Sequence, residues 1–507
     1  MAPEDDDPRD DELLGAEPNG TPPASSEQFV PARQALRALL RPGLGNVANM
    51  ALTTHLRTEL GNAERLVAVY GDRIRFSYER SAWLAWNGRV WRLDKAGDVV
   101  ELCKLTARSI YVEAGAAADK DEAAALASWA TKSQSRQALS AMNALARSMD
   151  GVRVSLADLD RDPSLLNTPS GTVDLRTGIL RPHRRLDLIT KSTGVAFDST
   201  ATCPMWLAFL AKAMDDDREM IAYLHRAIGY AATGESIEQV AFFLHGTGSN
   251  GKTTFLETVN RALGEYATAT KAATIMDRGP ERGGPEPEIV ALVGARYVNV
   301  TEFKEHGRLD EGRLKALSGG DTIVARTLHA EPFEFEPTFK IFLGTNHKPM
   351  ISGTDNGIWR RVNLIPFEVQ IPDSEKDMRL PAKLEAELPG ILAWIVAGAV
   401  EWYATGLRAP KKVLAATADY RSAMDVLATF LADEAVIEPR AEASAHALYR
   451  AYVAWSETTG ERVMGQRALA LRLAERGFKS EHRRAGNVWV GIGVRPVVDG
   501  PAGHAGE

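Results

Sequence analysis

The sequence predicts a multidomain α/β protein, in which a central α/β core lies between a mixed α+β domain and a helical carboxyl-terminal region. Residues 240–370 alternate apolar strands with helices, as α/β cores do. A glycine-rich loop joins the first of these strands to a helix, and two helices followed by a basic hairpin come near the end of the chain.

The glycine-rich loop reads Gly246-Thr247-Gly248-Ser249-Asn250-Gly251-Lys252-Thr253-Thr254, which contains the G-x-x-x-x-G-K-T pattern of a phosphate-binding P-loop. An apolar run at 240–244 precedes it and helical spacing at 254–263 follows it, which is the context that the pattern requires. We expect the loop to bind ATP through its backbone N–H groups and the helix N-terminus. Lys252 would reach the β- and γ-phosphates, and the Thr253 hydroxyl would hold Mg²⁺.

Composition indicates an ordinary globular protein with one unusual end. The chain has 507 residues and a net charge of −7, but residues 1–28 hold nine acidic residues and one arginine, so the rest of the chain is close to neutral at +1. A nearly neutral charge on the rest of the chain is compatible with a locally basic DNA-binding channel. Two cysteines fit a reducing cytoplasm and exclude a cysteine-rich zinc site. We expect no membrane span, no signal peptide and a cytoplasmic location, bacterial or in a phage-infected host.

Four regions are predicted in chain order: a disordered acidic tail at 1–35, a mixed domain at 36–204, the ATPase core at 205–410, and a helical region at 411–507 with a winged helix-turn-helix at about 443–493. In the mixed domain we expect Asn62 to cap a helix, and hairpins at 83–92 and 166–180. Tryptophans of the first hairpin could stack on bases, although core packing is their commoner role. A short helix at 34–40, helices at 121–149, 205–232 and 384–406, and the strands of the core complete the prediction.

ATP hydrolysis also needs an acid, a γ-phosphate sensor and a positive charge for the transition state. Glu302 ends an apolar strand about fifty residues after the loop and is the candidate acid for water and Mg²⁺, with Glu305 in reserve. Asn346 ends the next strand and is the candidate sensor. Arg360 and Arg361 follow, and in a ring ATPase they would act in the neighbouring subunit's site.

Candidate DNA contacts lie in two places, and ordinary surface charge is an alternative explanation for each. Lys315, Arg326 and His329 surround a predicted hairpin that turns near residues 329–332 and could face a central pore. Arg483 and Arg484 lie in the basic hairpin of the predicted winged helix, where residues 440–493 carry a local excess of four positive charges.

Together these stretches resemble the superfamily 3 helicases, in particular the phage and plasmid primase-type branch that includes the pox-virus primase–helicase. The matching segments are GTGSNGKTT, RYVNVTEF, LKALSGGDTIVAR, FLGTNHKP and GIWRRVNLIPF, with GNAERLVAVYGDRIRF, WLAWNGRVWRL and LLNTPSGTVDLRTGIL upstream. The resemblance covers about residues 50–495 and extends downstream to a carboxyl-terminal winged helix.

The resemblance implies an AAA+-like fold, a homo-hexameric ring and ATP-driven translocation on single-stranded and forked DNA during replication. It also suggests 3′ to 5′ polarity. It assigns roles to these positions: Lys252 and Thr253 to nucleotide and Mg²⁺, Glu302 to the Walker B acid, Asn346 to sensor 1, and Arg360 or Arg361 to the arginine finger. Many relatives have paired acids where this chain has Thr301 before Glu302. No zinc ribbon or polymerase triad is evident, so we expect any primase or polymerase to be a separate partner.

Three functions compete on this sequence. The first is a replicative DNA helicase, and the second is an ATP-dependent initiator or loader that remodels DNA without processive unwinding. The third is a regulatory DNA-binding protein with an inactive ATPase, against which the retained Lys252, Glu302, Asn346 and Arg360 argue.

Overall fold

The computed structural model describes residues 55–277, 286–301, 307–326, 332–353, 355–461, 463–484 and 486–495. Within this part of the chain two compact units are found. The first contains residues 55–76, 80–88 and 93–153, and the second contains residues 77–79, 89–92 and everything described from 154 onward. The predicted tail and the predicted helix at 34–40 lie outside the described residues. The predicted domain boundaries remain a prediction.

Up to residue 153 the chain forms four helices and three short strands among the described residues. The helices are α1 (Glu59–Tyr70), α2 (Asp98–Ala116), α3 (Lys120–Ser133) and α4 (Arg136–Ala146). The strands are β1 (Ile74–Ser77), β2 (Ala82–Trp86) and β3 (Trp91–Leu93), and they form one sheet in that order. The alanine-rich stretch expected at 121–149 is therefore two helices, and the hairpin expected at 83–92 is present.

The prediction that Asn62 caps a helix is wrong. The cap of α1 is Thr58, whose hydroxyl accepts the Gly61 N–H at 3.0 Å. Asn62 is fully buried instead, and it donates to Ser133 Oγ at 2.8 Å and accepts the Trp129 indole N–H at 3.0 Å. A buried amide needs such partners, and they come from a helix some seventy residues away.

Two of the three tryptophans of the first hairpin follow the packing alternative, whereas the third, Trp86, is half-buried. Trp83 is buried with its ring edge-on to Phe76, at 5.1 Å between centroids. Trp91 is 1% exposed and its indole N–H donates to the Arg185 carbonyl at 2.9 Å. Neither ring is available for stacking on bases in this structure.

From residue 154 the second unit contains a small meander, a parallel sheet with its helices, and a carboxyl-terminal helix-and-strand cluster. Its helices are α5 (Pro204–Ala213), α6 (Arg218–Ala232), α7 (Lys252–Leu263), α8 (Pro287–Val290), α9 (Glu311–Gly319), α10 (Asn356–Trp359), α11 (Leu380–Ala386), α12 (Leu388–Thr405), α13 (Lys411–Ala423), α14 (Val426–Glu434), α15 (Ala445–Thr459) and α16 (Gln466–Glu475). Its strands are β4 (Leu165–Thr168), β5 (Gly171–Asp174), β6 (Ile179–Arg181), β7 (Ala241–His245), β8 (Ala267–Lys271), β9 (Tyr297–Thr301), β10 (Ile323–Ala325), β11 (Phe333–Phe335), β12 (Lys340–Thr345), β13 (Val362–Pro366), β14 (Ala435–Val436), β15 (Glu442–Ser444), β16 (Lys479–Arg483), β17 (Gly486–Val490) and β18 (Gly493–Val494).

The central sheet has five parallel strands in the order β13-β7-β12-β9-β8. Side chains alternate between its faces, as they must in a strand. Phe242 and Leu244 of β7 face one apolar cluster with α5, α6, α7 and α12, whereas Ala241 and Phe243 face a second cluster on the other side. Helices cover both faces, which explains why β7 and β12 read as continuous apolar runs. The predicted mixed α/β core with a parallel sheet is confirmed.

Two predicted helices are each divided in two. The stretch expected at 205–232 breaks between α5 and α6, where Asp215 and Asp216 have φ of +54° and +55°. The stretch expected at 384–406 breaks at Glu387, where α11 ends and α12 begins with a proline in its first turn. Carboxylates or prolines at such sites favour a new helix start.

Helix α12 is long and apolar enough, by length and composition alone, to cross a membrane, which the sequence analysis did not expect. Half of it is buried in the protein, where it packs closely on α6. Gly229 of α6 and Gly398 of α12 meet at this contact. The composition of α12 is therefore also that of a core helix.

The carboxyl-terminal unit, residues 426–495, packs around its own apolar cluster, which includes Phe430, Tyr452, Trp455 and Trp489. Its order is helix, strand, strand, helix, helix, strand, strand, strand; the main sheet runs β15-β17-β16, and β14 pairs with β18. The predicted helices and basic hairpin are present as α15, α16, β16 and β17. Because α14 contributes to the same cluster, the unit begins earlier than residue 443.

The α6–α12 contact leads to a stability prediction. A Cβ on Gly229 would lie 2.1 Å from the Ala399 backbone nitrogen, so we expect Gly229→Ala to lower the free energy of unfolding by about 1–3 kcal/mol or more. Gly312→Ala is the matched control, because its Cβ would meet nothing closer than 3.6 Å on α9. Its effect should stay under about 1 kcal/mol. Urea unfolding with equal midpoints for both variants would contradict the close packing.

Candidate functional site

The glycine loop at the carboxyl end of β7 is built by residues with left-handed backbone. Gly248, Ser249 and Gly251 have φ of +108°, +51° and +84°. Gly251 caps α7, and it has no side chain with which to satisfy the first N–H groups of that helix. Those N–H groups and the positive end of the helix dipole suit an anion.

Two glycines of the loop are required by close neighbours. A Cβ on Gly246 would lie 2.1 Å from Asn250 Nδ2 and 2.2 Å from the Phe367 carbonyl oxygen. A Cβ on Gly251 would lie 2.8 Å from the Phe209 ring. The loop therefore fits against β13 and α5 only where these positions lack side chains.

Lys252 is the first residue of α7 and is 6% exposed. Its ammonium group donates to three oxygens: the Gly246 carbonyl at 2.8 Å, Asn250 Oδ1 at 2.9 Å and Asn346 Oδ1 at 3.1 Å. Burial lowers the pKa of Lys252 to about 8. A partly desolvated cation of this kind is typical of a functional site.

Asn346 is brought to Lys252 by the order of the sheet. Strand β12 lies beside β7, with Thr345 in register with His245, and Asn346 follows directly. Strand β9 is the next neighbour of β12, and all three strands are parallel, so their carboxyl ends share one edge. Glu302 follows β9 in the sequence. Glu302 and Glu305 lie outside the described residues, so their predicted roles stay predictions.

Three further ionisable groups belong to this edge of the sheet. They are His245 at the end of β7, and His347 and Lys348 just beyond β12. Burial is the main cause that lowers the pKa of His245, with Lys348 and Lys252 adding to the effect. The lowered pKa favours the neutral form of His245, so β7 adds no second positive charge near Lys252.

Arg360 and Arg361 lie at the opposite edge of the sheet. The Arg361 carbonyl accepts the Ala241 N–H at 2.7 Å, at the amino end of β7. With about 3.3 Å per residue, a strand of five residues separates them from the glycine loop by roughly 13–17 Å. The structure therefore does not bring these arginines to the Lys252 of their own chain.

The two arginines differ in their surroundings. Arg361 is buried and donates to the Gly357 carbonyl at 2.7 Å, and burial lowers the pKa of its guanidinium. Arg360 is exposed, with a long contact of 3.3 Å to Gln239. Of the pair, Arg360 is the one that could reach another molecule.

The candidate DNA contacts are separated between the sheet domain and the carboxyl-terminal unit. Lys315 forms an ion pair with Asp355 at 3.0 Å. Strands β10 and β11 form the expected antiparallel ribbon, and Arg326 follows β10 on an exposed site. His329 lies outside the described residues.

In the basic hairpin, Arg483 is committed to acids of its own sheet. It contacts the Glu442 carboxylate at 2.7 Å and Glu481 at 3.0 Å. Arg484 is exposed. Arg483 therefore forms exposed ion pairs within its own sheet, and the DNA contacts predicted for Arg483 and Arg484 stay predictions.

Two contacts in the second unit were not predicted from the sequence. The Asn250 side chain joins Lys252 to β13, although its motif position accepts any residue. Arg472 of α16 donates to the Ser352 carbonyl at 2.6 Å, in a cavity of about 330 Å³ that Asp277, Asp310 and Glu311 also line. No sequence signal pairs these positions.

Comparison with known families gives two matches that fall on the regions described above. Residues 63–215 match the family described as D5 N terminal like, and residues 244–361 match a family of unknown function. The second match begins at the end of β7 and ends at Arg361, so it spans the glycine loop, Asn346 and the arginine pair.

Viral relatives align over the same regions. A protein of Acanthamoeba polyphaga mimivirus, provisionally named helicase L207/L206, is 28% identical over 298 residues, which are 55% of this chain and 31% of the relative. A protein of African swine fever virus, provisionally named primase C962R, is 23% identical over 349 residues, which are 64% of this chain and 36% of the relative. The chain spans about a third of the length of these relatives.

The chain is thus similar to D5-type viral proteins that are provisionally named helicases or primases. The resemblance expected from the motifs is confirmed, and the D5-type match covers most of the predicted mixed domain. Among solved structures, the apo NrS-1 C terminal region aligns with 83% of this chain and 96% of its own, at 10% identity and a TM-score of 0.47.

Proposed function

We propose that this protein is an ATP-driven DNA helicase of phage- or plasmid-type replication. The observation that carries the proposal is the buried Lys252 ammonium, held beside Asn346 by a glycine loop at the carboxyl edge of a parallel sheet. The D5-type relationship supports a role in replication. Cytoplasm, where replicating DNA and ATP are present, is the proposed location.

The residues around the loop fit a nucleotide with its Mg²⁺. The loop N–H groups and the start of α7 would bind the phosphates, and Lys252 would contact the β- and γ-phosphates. The exposed Thr253 hydroxyl would be a ligand of Mg²⁺. Glu302, with Glu305 in reserve, would orient and polarise water, and Asn346 would contact the γ-phosphate. These assignments follow the sequence motifs and, for Lys252 and Asn346, the carboxyl edge of the sheet at which both residues lie.

A homo-hexameric ring is proposed because Arg360 and Arg361 are far from Lys252 of the same chain. An arginine at the amino edge can serve a nucleotide only in an adjacent copy. Arg360 is favoured because it is exposed and Arg361 is committed to Gly357. In an AAA+-like ring this places each site between two subunits.

DNA contacts are proposed for the β10–β11 ribbon, with Lys315, Arg326 and His329, and for the carboxyl-terminal unit as a winged helix. The helix and strand order of residues 426–495 supports the second assignment. A separate primase or polymerase is a proposed partner.

Strand displacement on forked DNA tests the proposed helicase function. A helicase would release the displaced strand, whereas an initiator or loader would hydrolyse ATP and bind the fork without releasing it.

The Lys252 environment predicts a pH dependence of nucleotide binding. Phosphate binds the protonated ammonium, and the pKa of Lys252 in the free protein is about 8. The affinity for a fluorescent ATP analogue with Mg²⁺ should therefore fall about tenfold between pH 7 and pH 9. Lys252→Ala should bind weakly, lose ATPase activity and show a flat profile. That variant also reports any contribution of His245, His347 and Lys348, and normal turnover in it would refute the site.

The ring predicts rescue between two inactive variants. Arg360→Ala should lower the ATPase rate by about 10³–10⁵, as loss of an arginine finger does elsewhere. Mixing it with Lys252→Ala should restore part of the activity, since one copy supplies the arginine and the other an intact loop. Arg361→Ala is the matched control and should act mainly on stability. Mixed rings without rescue would place Arg360 outside catalysis.

The carboxyl-terminal unit predicts a change in the salt dependence of DNA binding. Each phosphate contact contributes roughly 0.7–0.9 to the slope of log affinity against log salt. Arg484→Ala should lower the slope by about that amount, whereas Arg218→Ala, at an exposed site at the start of α6, should leave it unchanged. An unaltered slope for Arg484→Ala would remove this arginine from the DNA interface.

A further inference from the structure

The Asn250 side chain is a bridge inside the nucleotide site. It is 3% exposed, its Oδ1 accepts from Lys252 Nζ at 2.9 Å, and its Nδ2 donates to the Phe367 carbonyl at 3.1 Å. Phe367 follows β13 and donates its N–H to the His245 carbonyl at 2.7 Å, so its backbone is fixed beside β7. The amide of Asn250 is thereby held at both ends.

The three acceptors of Lys252 differ in how easily they can be replaced. An ammonium group has three donors, and all three are used here, so a phosphate oxygen must replace an existing acceptor. The Gly246 carbonyl is part of the loop backbone, and Asn250 is buried and anchored to Phe367. Asn346 is exposed and makes the longest of the three contacts, at 3.1 Å.

We propose that Asn250 is a positioning residue, which keeps Lys252 directed at the phosphates by joining it to the carboxyl end of β13, and that Asn346 is the acceptor exchanged when ATP binds. This inference rests on the proposed function. It deepens that function by assigning different tasks to two amides that contact the same ammonium group. After the exchange, the Asn346 side chain is free to contact the γ-phosphate.

The position of Gly246 supports the bridge. A Cβ at this position would overlap both Asn250 Nδ2, at 2.1 Å, and the Phe367 oxygen, at 2.2 Å. These are the two atoms of the anchoring hydrogen bond. The first glycine of the motif therefore leaves the space in which Asn250 reaches β13, in addition to any freedom that it gives the loop.

The test compares Asn250→Ala, Asn250→Asp and Asn346→Ala in the full chain, using a fluorescent ATP analogue with Mg²⁺ between pH 6.5 and 9.5, together with ATPase kinetics. Hydrogen bonds to a charged group predict about 10- to 100-fold weaker binding for Asn250→Ala, mainly as a higher KM. Asn346→Ala should bind within about threefold of the wild type and lose kcat. Asn250→Ala would thus act mainly on KM, and Asn346→Ala would act mainly on kcat.

The pH profile distinguishes positioning from packing. Loss of an acceptor should move the alkaline midpoint of binding to lower pH in Asn250→Ala, whereas the carboxylate of Asn250→Asp should move it to higher pH. The other described ionisable groups at this edge are His245, His347 and Lys348, and they are the same in every variant. A packing role would change stability in both variants and shift neither midpoint.

The outcomes separate this inference from the proposed function. If the wild type does not bind the nucleotide, or Lys252→Ala binds it equally well, the proposed function is wrong. If the wild type binds and Asn250→Ala matches it in affinity and midpoint, only the positioning role is wrong. Thermal unfolding without nucleotide checks the fold of each variant. Should Asn250→Ala not fold, the near-isosteric Asn250→Asp decides, because an unshifted midpoint in it overturns the inference.

Discussion

The buried ammonium of Lys252 is the interaction on which the site depends. A cation with this little exposure is costly unless its hydrogen bonds are satisfied. Its three acceptors come from the glycine loop and from the end of β12, so Lys252 can be buried only if β12 lies beside β7. The strand order of the sheet and the geometry of the loop are therefore parts of one arrangement.

The parallel sheet separates two kinds of function between its edges. At the carboxyl edge the glycine loop follows β7 and Asn346 follows β12, so the described candidate nucleotide groups lie together there. At the amino edge Arg361 directly precedes β13, and its carbonyl accepts the Ala241 N–H of β7. Because both edges belong to the same rigid strands, the distance between Arg360 and the glycine loop is fixed by strand length, not by loop conformation.

The sequence predicted what depends on local pattern. The strand, loop and helix around Lys252, the strand ending at Asn346 and the basic hairpin are all found where apolar spacing and glycine positions indicated. It did not predict what depends on tertiary contacts. The sequence predicted that Asn62 caps a helix, but its buried side chain joins two helices. No sequence pattern indicated that Arg483 would form an ion pair with Glu442. In each case the partner is distant in the sequence, or its effect depends on register within a sheet.

Two buried lysines in the same sheet show how acceptor chemistry separates structure from function. Lys340 begins β12 at the amino edge, is 2% exposed, and donates to the carbonyls of Thr233, Glu235 and Thr338. Burial lowers its pKa well below the usual value, as it does for Lys252, so desolvation alone does not tell the two apart.

Their acceptors do tell them apart. All three acceptors of Lys340 are backbone carbonyls, two of them from the segment that follows α6, and its ammonium lies 4.6 Å from the centre of the Tyr230 ring. A backbone carbonyl in a packed segment cannot rotate independently of its chain, so a ligand could replace these acceptors only if the segment unfolded. Lys252 instead has two side-chain amides, one of them exposed, and an exposed amide can exchange for a phosphate oxygen at the cost of one rotamer change. A buried lysine with an exchangeable acceptor is thus equipped for binding, whereas one held entirely by backbone stabilises the sheet.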